Sequence, residues 1–330
     1  MGKTGGIDLG GTKIQAAVMD ENHTAIGSAR CPTPASQGPQ ATAKAMAQML
    51  RDAATAAGVE VSELDGVGIG TPGEMEDDGV VANVVNIVDW ADPFPLAQTI
   101  SDELGGITVK VGNDVDVATL GEFKLGAGQP YDSVLGVFWG TGVGGGIVLN
   151  GELWRGRGSA GEIGHIVVEI DGRKCGCGRR GCLEAYAGRR SMEARARHLV
   201  DKGHKTKLFE IAERKGKDHV TSGVIASALR KHDRMAAQLI DEALHMLAVG
   251  MASAGNLLDV DAIVLGGGMG TRFGPVYHDE LKTLMRPHEF AVHPPELVVA
   301  GLGDLGGAVG ASLLIDGVAA DAPAPAGAAA

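Results

Sequence analysis

Gly6-Ile7-Asp8-Leu9-Gly10-Gly11-Thr12-Lys13-Ile14-Gln15-Ala16-Ala17-Val18-Met19 reads as a strand, a glycine turn and a second strand. Apolar runs flank the turn on both sides, and paired glycines allow a tight reversal that a residue with a Cβ resists. Bare glycine backbone also lets successive N–H groups point at an anion, which is the physical need behind a phosphate-holding turn. The stretch is not a Walker loop: Thr12 and not Lys follows Gly11, and a strand follows where that motif requires a helix.

Working outward, residues 25–30 read as a third strand. A helix is expected over 41–57, where Met46, Leu50, Ala53 and Ala57 recur at helical spacing and Gly58 ends it. Strands over 66–70 and 108–111 bracket a helix over 95–104, giving a meander of strands followed by alternating α and β elements. From Asp132 the opening pattern starts again. Residues 134–139 are strand-like, Gly140-Thr141-Gly142-Val143-Gly144-Gly145-Gly146 reads as a glycine turn, and 147–149 return as strand. Two such units in the two halves of one chain suggest an internal duplication. Beyond Gly188 the sequence is mostly helical, with one long apolar helix over 235–258, and residues 319–330 are an Ala/Pro/Gly run expected to be disordered.

Two dinucleotide-like glycine patterns are spurious. Gly140, Gly142 and Gly145 are followed by more strand, so the helix that would hold a pyrophosphate is missing. Gly301-Leu302-Gly303-Asp304-Leu305-Gly306 sits between a strand and a helix, but no second strand follows to complete a βαβ unit, so it reads as a turn closing the fold.

Bulk properties narrow the function. A chain of 330 residues is longer than one typical domain, so two lobes are the first expectation. The net charge of −12, with no clustered basic face, argues against a nucleic-acid partner, whose affinity rests on neutralising many phosphates. No apolar run approaches the ~20 residues of a membrane span and no leader opens the chain, so a cytoplasmic protein with no membrane partner is expected.

Three of the four cysteines fall between positions 175 and 182, a density that points to metal before disulfide. His165, Cys175, Cys177 and Cys182 supply one imidazole and three thiolates, the donor set of a closed tetrahedral zinc site. Four protein ligands leave no place for water, so such a zinc is structural. Asp114, in Val111-Gly112-Asn113-Asp114, follows a strand and opens a helix over 115–123. Alone, Asn-Asp before a helix reads first as a helix cap. A carboxylate at a strand end is also what phosphoryl transfer asks of a base.

Asp8-Leu9-Gly10-Gly11-Thr12-Lys13, Gly140-Thr141-Gly142-Val143-Gly144-Gly145-Gly146 and Leu265-Gly266-Gly267-Gly268, in this order, resemble the two phosphate segments and the adenosine segment of the ROK family (repressors, open reading frames and kinases). The resemblance covers residues 5–317. It implies a duplicated actin/hexokinase-like (ribonuclease H-like) α/β fold of two lobes with a central cleft. The small lobe would be 1–118 with a C-terminal helix at about 305–317, the large lobe 119–304 and the tail 318–330.

It further implies ATP as donor, with Asp8 holding Mg2+, and Gly10, Gly11, Thr12, Lys13, Gly140, Thr141, Gly142, Gly144, Gly266, Gly267 and Gly268 around the nucleotide. Asp114 would be the catalytic base. Asn113, Gly73, Asn86, Glu162, His165 and Glu184 would contact the sugar, His165 through the ring nitrogen that its zinc leaves free. Val115 and Asp116 depart from the commoner family spelling; Asp116, if it faces Asp114, would raise that group's pKa.

The expected activity is phosphorylation of a hexose, first of all glucose to glucose 6-phosphate, by a homodimer or homotetramer. The alternatives are a kinase for fructose, mannose or N-acetylmannosamine, or one using polyphosphate. A sugar-responsive regulator of the same family is disfavoured, because only about five residues precede the first strand and leave no helix-turn-helix.

Overall fold

The computed structural model describes residues 2–76, 79–84 and 87–315. Asn86, the expected tail and the end of the expected C-terminal helix lie outside the described residues. The chain folds as two compact units, one from residues up to 132 with 146–160 and 301 onward, the other from 133–145 and 161–300. The first boundary therefore falls beyond the helix that Asp114 opens, at Asp132, and not inside it at 118.

The opening segment runs β1 (Lys3–Leu9), β2 (Lys13–Met19), β3 (Ala25–Pro32), α1 (Gly38–Ala57), β4 (Leu64–Thr71), β5 (Glu74–Met75), β6 (Val81–Ala82), α2 (Leu96–Glu103), β7 (Val109–Asn113) and α3 (Asp114–Leu125). Next come β8 (Val134–Trp139), β9 (Val143–Leu149), β10 (Glu152–Leu153), α4 (Glu184–Ala187), α5 (Arg189–Asp201), α6 (Leu208–Arg214), α7 (Ser222–Arg230) and α8 (Arg234–Leu258). The chain closes with β11 (Ala262–Gly266), α9 (Gly267–Met285), β12 (Glu296–Val299) and α10 (Gly306–Ser312). No helix among the described residues is long and apolar enough to cross a membrane.

In the first unit five strands order as β3-β2-β1-β4-β7. The hairpin strands β1, β2 and β3 are antiparallel, whereas β4 joins β1, and β7 joins β4, in parallel. Proline in the first turn starts α1, and Gly58 ends it in the left-handed region (φ 70°), its N–H returning to Thr55 and Ala54 carbonyls. The buried face of α1, with Met46, Leu50 and Ala53, joins Ile7, Ile14, Val67 and Ile69 in one core.

Neighbouring residues of β1 face opposite sides of the sheet. Gly5 looks at Leu50 of α1, and Gly6 lies against the carbonyl of Ala308 in α10. A Cβ at Gly6 would stand 1.9 Å from that oxygen, and one at Gly68 of β4 would stand 1.7 Å from the oxygen of Ala311. α10 is therefore seated backbone to backbone on the sheet, and any side chain at those two glycines would lift it off.

In the second unit β8, β11 and β12 are parallel, with Gly266 opposite Phe138 and Ala262 opposite Glu296. α9 packs on all three strands and α8 packs on α9, burying Leu244, Leu247 and Met251 of α8. The expected glycine turn over 140–146 is shorter than its sequence suggests: β9 begins at Val143, so Gly144, Gly145 and Gly146 are strand. What those glycines provide is close approach, since a Cβ at Gly145 would stand 2.7 Å from the oxygen of Gly161 and 2.9 Å from that of Gly136.

Candidate active site

Parallel register lines up the first unit's functional residues. Asp8 pairs with Gly70, Gly70 with Gly112, and Thr71 with Asn113. Asp8, the Thr71-Pro72-Gly73 turn and Asn113-Asp114 thus share the carboxyl ends of β1, β4 and β7, where ligands bind to open α/β sheets. The cap of α3 is Asn113, whose Oδ1 accepts from the N–H groups of Val115 (3.0 Å) and Asp116 (3.2 Å). Asp114 opens the helix itself, one carboxyl oxygen accepting from the Val115 N–H at 3.0 Å.

Withdrawal from water is the largest influence on Asp114, followed by repulsion from Asp8; together they push its pKa up to about 7, against the Val115 N–H. Asp116 adds the smallest of the upward pushes. Its own carboxylate pairs with Arg155, 3.5 Å from Nε. Burial likewise raises Asp8, opposed by Lys13. Two carboxylates raised above their ordinary range, both chiefly by burial and Asp114 also by Asp8, are a donor set that a hard divalent cation would satisfy.

Each unit also carries a glycine turn with its carbonyls taken from behind. In the first, the Gly10 N–H donates to Lys13 O (2.9 Å), Gly10 O accepts from the Thr33 hydroxyl (2.7 Å), and Thr12 O accepts from the Thr33 N–H (3.2 Å). In the second, the Gly140 N–H donates to Gly142 O (2.9 Å), and Gly140 O and Thr141 O accept from the N–H groups of Arg189 (3.2 Å) and Arg190 (3.0 Å) at the start of α5. In a trans peptide the C=O and the next N–H point in opposite directions. Gly11 and Lys13 in one turn, and Thr141 and Gly142 in the other, therefore aim their N–H groups away from these supports, as an anion-holding turn requires.

The second turn lies beside Gly266-Gly267-Gly268, because β8 and β11 are neighbours. An ideal Cβ at Gly140 would stand 4.0 Å from the Gly268 nitrogen, and Gly267 (φ 79°) lies against the backbone of Trp139.

The second unit gathers the cysteines. A bridge between Lys174 and Arg180 makes a narrow knuckle that presents Cys175 and Cys177, and Cys182 is paired back to Val167. The ligand atoms of His165, Cys175, Cys177 and Cys182 all lie within 4.8 Å of one another. Nδ1 of His165 stands 3.8 Å from Sγ of Cys175, and Sγ of Cys177 stands 3.7 Å from Sγ of Cys182. The backbone N–H of Arg179 draws Cys177 down to about 6, whereas burial pushes Cys175 up to about 12. Three thiolates ionised together need a cation among them, and one imidazole with three sulfurs is the set that fits a tetrahedral zinc ion.

His165 turns its other nitrogen outward, Nε2 lying 4.0 Å from the Glu162 carboxylate. Glu184 spans from the cluster to the second turn: one oxygen is 3.9 Å from Sγ of Cys175 and the other accepts from the Val143 N–H at 3.0 Å. A Cβ at Gly142 would stand 2.1 Å from that second oxygen, so glycine there is what lets Glu184 reach the strand. Trp90 belongs to the core of the first unit. It is buried, donates Nε1–H to Val81 O (3.0 Å) and meets Phe94 edge to face.

Sequence reasoning missed Glu122. This buried carboxylate of α3 accepts from the N–H groups of Ala127 (3.0 Å), Gly301 (2.9 Å) and Leu302 (2.9 Å), and so grips the turn that leads into α10. The available signal was an acid between Leu120 and Phe123 on a helix with no polar face.

The model of the ROK family matches residues 4–318. The glucokinase of Halalkalibacterium halodurans is 33% identical over 318 residues, 94% of each chain. The N-acetyl-D-glucosamine kinase of Yersinia pseudotuberculosis is 32% identical over 323 residues, covering 94% of this chain and 97% of its own. A crystal structure of a ROK family glucokinase from Streptomyces griseus, in complex with glucose and AMPPNP, superposes with a TM-score of 0.79 at 32% identity, over 95% of this chain and 99% of that one. The fold expected from the sequence, the actin/hexokinase type, is the one these similarities show.

Proposed function

The chain belongs to the ROK family, and from that premise we propose that it moves the terminal phosphoryl group of ATP onto a hexose hydroxyl, with glucose as the first candidate. The observation that carries the reading is the pair Asp8 and Asp114 on one sheet edge, with Asp114 titrating at about 7. A general base works best when its pKa lies near the working pH, and this one takes the hydroxyl proton as the bond to phosphorus forms. Asp8 would hold the nucleotide's Mg2+, which neutralises charge on the phosphoryl group in transfer.

Asn113 spends Oδ1 on the helix cap, which leaves its amide NH2 to donate to a sugar oxygen. Glu162, His165, Glu184, Gly73 and Asn86 are assigned to the remaining hydroxyls by the family resemblance. His165, Cys175, Cys177 and Cys182 would hold a structural zinc, which fixes His165 and Glu184 relative to the second turn. N-Acetylglucosamine is the second candidate substrate, because its kinase in Yersinia is as similar as the glucokinases.

Incubation with glucose, mannose, fructose, N-acetylglucosamine and N-acetylmannosamine, each with ATP and with polyphosphate, tests the proposal by phosphosugar detection. Glucose with ATP is expected to give the highest kcat/KM. No phosphosugar from any pairing would reject kinase activity, and preference for an N-acetyl sugar would reject glucose. The pH profile is a separate check. Below about pH 7 the base is protonated in the free enzyme, so kcat/KM is expected to fall about tenfold per pH unit. A profile flat from pH 5.5 to 8 would remove Asp114 from that role.

A further inference from the structure

Arg189, the first residue of α5, has a side chain that none of the assignments above uses. Its Nη2 donates to the Thr141 hydroxyl oxygen at 3.0 Å, and its Nη1 donates to Val220 O at 2.7 Å. Because Thr141 Oγ1 accepts from a cation, its own O–H is left to donate elsewhere, on the turn whose N–H groups already face away from α5.

Both of the guanidinium's acceptors are neutral. Among the described residues no carboxylate comes within ion-pair distance of it. Glu193, one turn along α5, still attracts the guanidinium through space, but its close partners are Arg197 (2.6 Å) and the Val220 N–H (2.8 Å). From the neighbouring glycine turn, Arg272 of α9 donates Nε–H to the Ser222 hydroxyl at 3.1 Å. Residues 220–222 are thus held by two arginines, one from the helix after each turn. In a chain of net charge −12, positive charge concentrated there and held by neutral partners suits a ligand that is itself anionic.

We propose that Arg189 is a positioning residue for the donor's phosphates: it aims the Thr141 hydroxyl and keeps a guanidinium beside the Gly140–Gly142 turn, so that this turn recognises the donor by its anionic tail. The inference rests on the kinase reading and deepens it. Arginine suits the task because its planar fork satisfies two fixed acceptors at once and cannot be deprotonated.

Calorimetric titration of the full chain with MgADP and with adenosine tests it. Arg189→Ala, and Arg189→Gln as a variant that keeps hydrogen-bonding capacity without charge, are expected to weaken ADP binding about tenfold. Adenosine, which has no phosphate, should bind as it does to wild type. In steady state, KM for the nucleotide should rise by a similar factor, with KM for the sugar and kcat changed less than threefold. A loss of ADP affinity under threefold in both variants would overturn the assignment. So would an equal loss for adenosine, which would mark a merely structural role. Wild-type protein that binds no adenine nucleotide would overturn the kinase reading as well, whereas nucleotide binding that both variants leave untouched would overturn this inference alone.

Discussion

Asp114→Asn is expected to lower kcat by roughly two to four orders of magnitude while the protein still binds its sugar. The exchange keeps shape and removes the ability to take a proton. Asn113, and not residue 114, caps α3, so the helix start should survive. A second readout separates this role from a structural one. The folded-state pKa of Asp114, about 7, lies above the carboxylate's ordinary value near 4. Its contribution to stability is therefore fully present below about pH 4 and is lost as pH rises through about 7. Above neutrality the wild type carries an ionised group in a place that disfavours it, at a cost of order a few kcal/mol. Asp114→Asn escapes that cost, and its melting temperature at pH 8 should exceed the wild type's, with the gap closing toward pH 4. An inactive variant that melts lower at pH 8 would point to damage to the fold; a fully active one would end the assignment.

With a zinc ion proposed at the cysteine cluster, Cys182→Ser is expected to lower the metal content from about one zinc per chain to almost none by elemental analysis. Cys182 is fully buried and paired to Val167, so its serine substitute places a hydroxyl among sulfurs with no cation to bind. Loss of a structural zinc removes folding free energy directly, and a fall of roughly 10 °C in melting temperature is expected for a loss of several kcal/mol in a unit of this size. Because Glu184 and His165 adjoin the same cluster, KM for the sugar should rise along with it. Unchanged zinc content in Cys182→Ser, or wild-type protein isolated without metal, would remove the cluster from the list of sites.

These two residues were legible to different degrees. The cysteines announce themselves by density, since three thiols within eight residues point to metal before disulfide, but their C-x-C-x4-C spacing is not a standard zinc-finger pattern and the family resemblance carried the assignment further. Asp114 does not, since Asn-Asp before a helix is the commonest of caps, and only the family resemblance turned it into a base. Its partner Asp8 is more than a hundred residues away. What brings the two together is the parallel register of β1, β4 and β7, which no local pattern contains.

The β1–β2 hairpin was readable from apolar runs around paired glycines, whereas Gly144–Gly146 were misread as turn. Glycine serves reversal and close approach equally well, and the second use depends on neighbours from distant segments. Glu122 and Arg189 escaped for the same reason. Each acts on backbone or hydroxyl groups dozens of residues away, and neither sits in a pattern that predicts its partner.

The seating of α10 on Gly6 and Gly68 sets an order of assembly. On the ribosome, β1 to β7 and α3 emerge early, but α10, which covers β1 and part of β4 on the same face as α3, is encoded beyond residue 305. The residues of the second unit all lie between 133 and 300. A nascent chain can therefore finish the second unit while the first still waits, part of one sheet face wet, for its last helix to clear the exit tunnel.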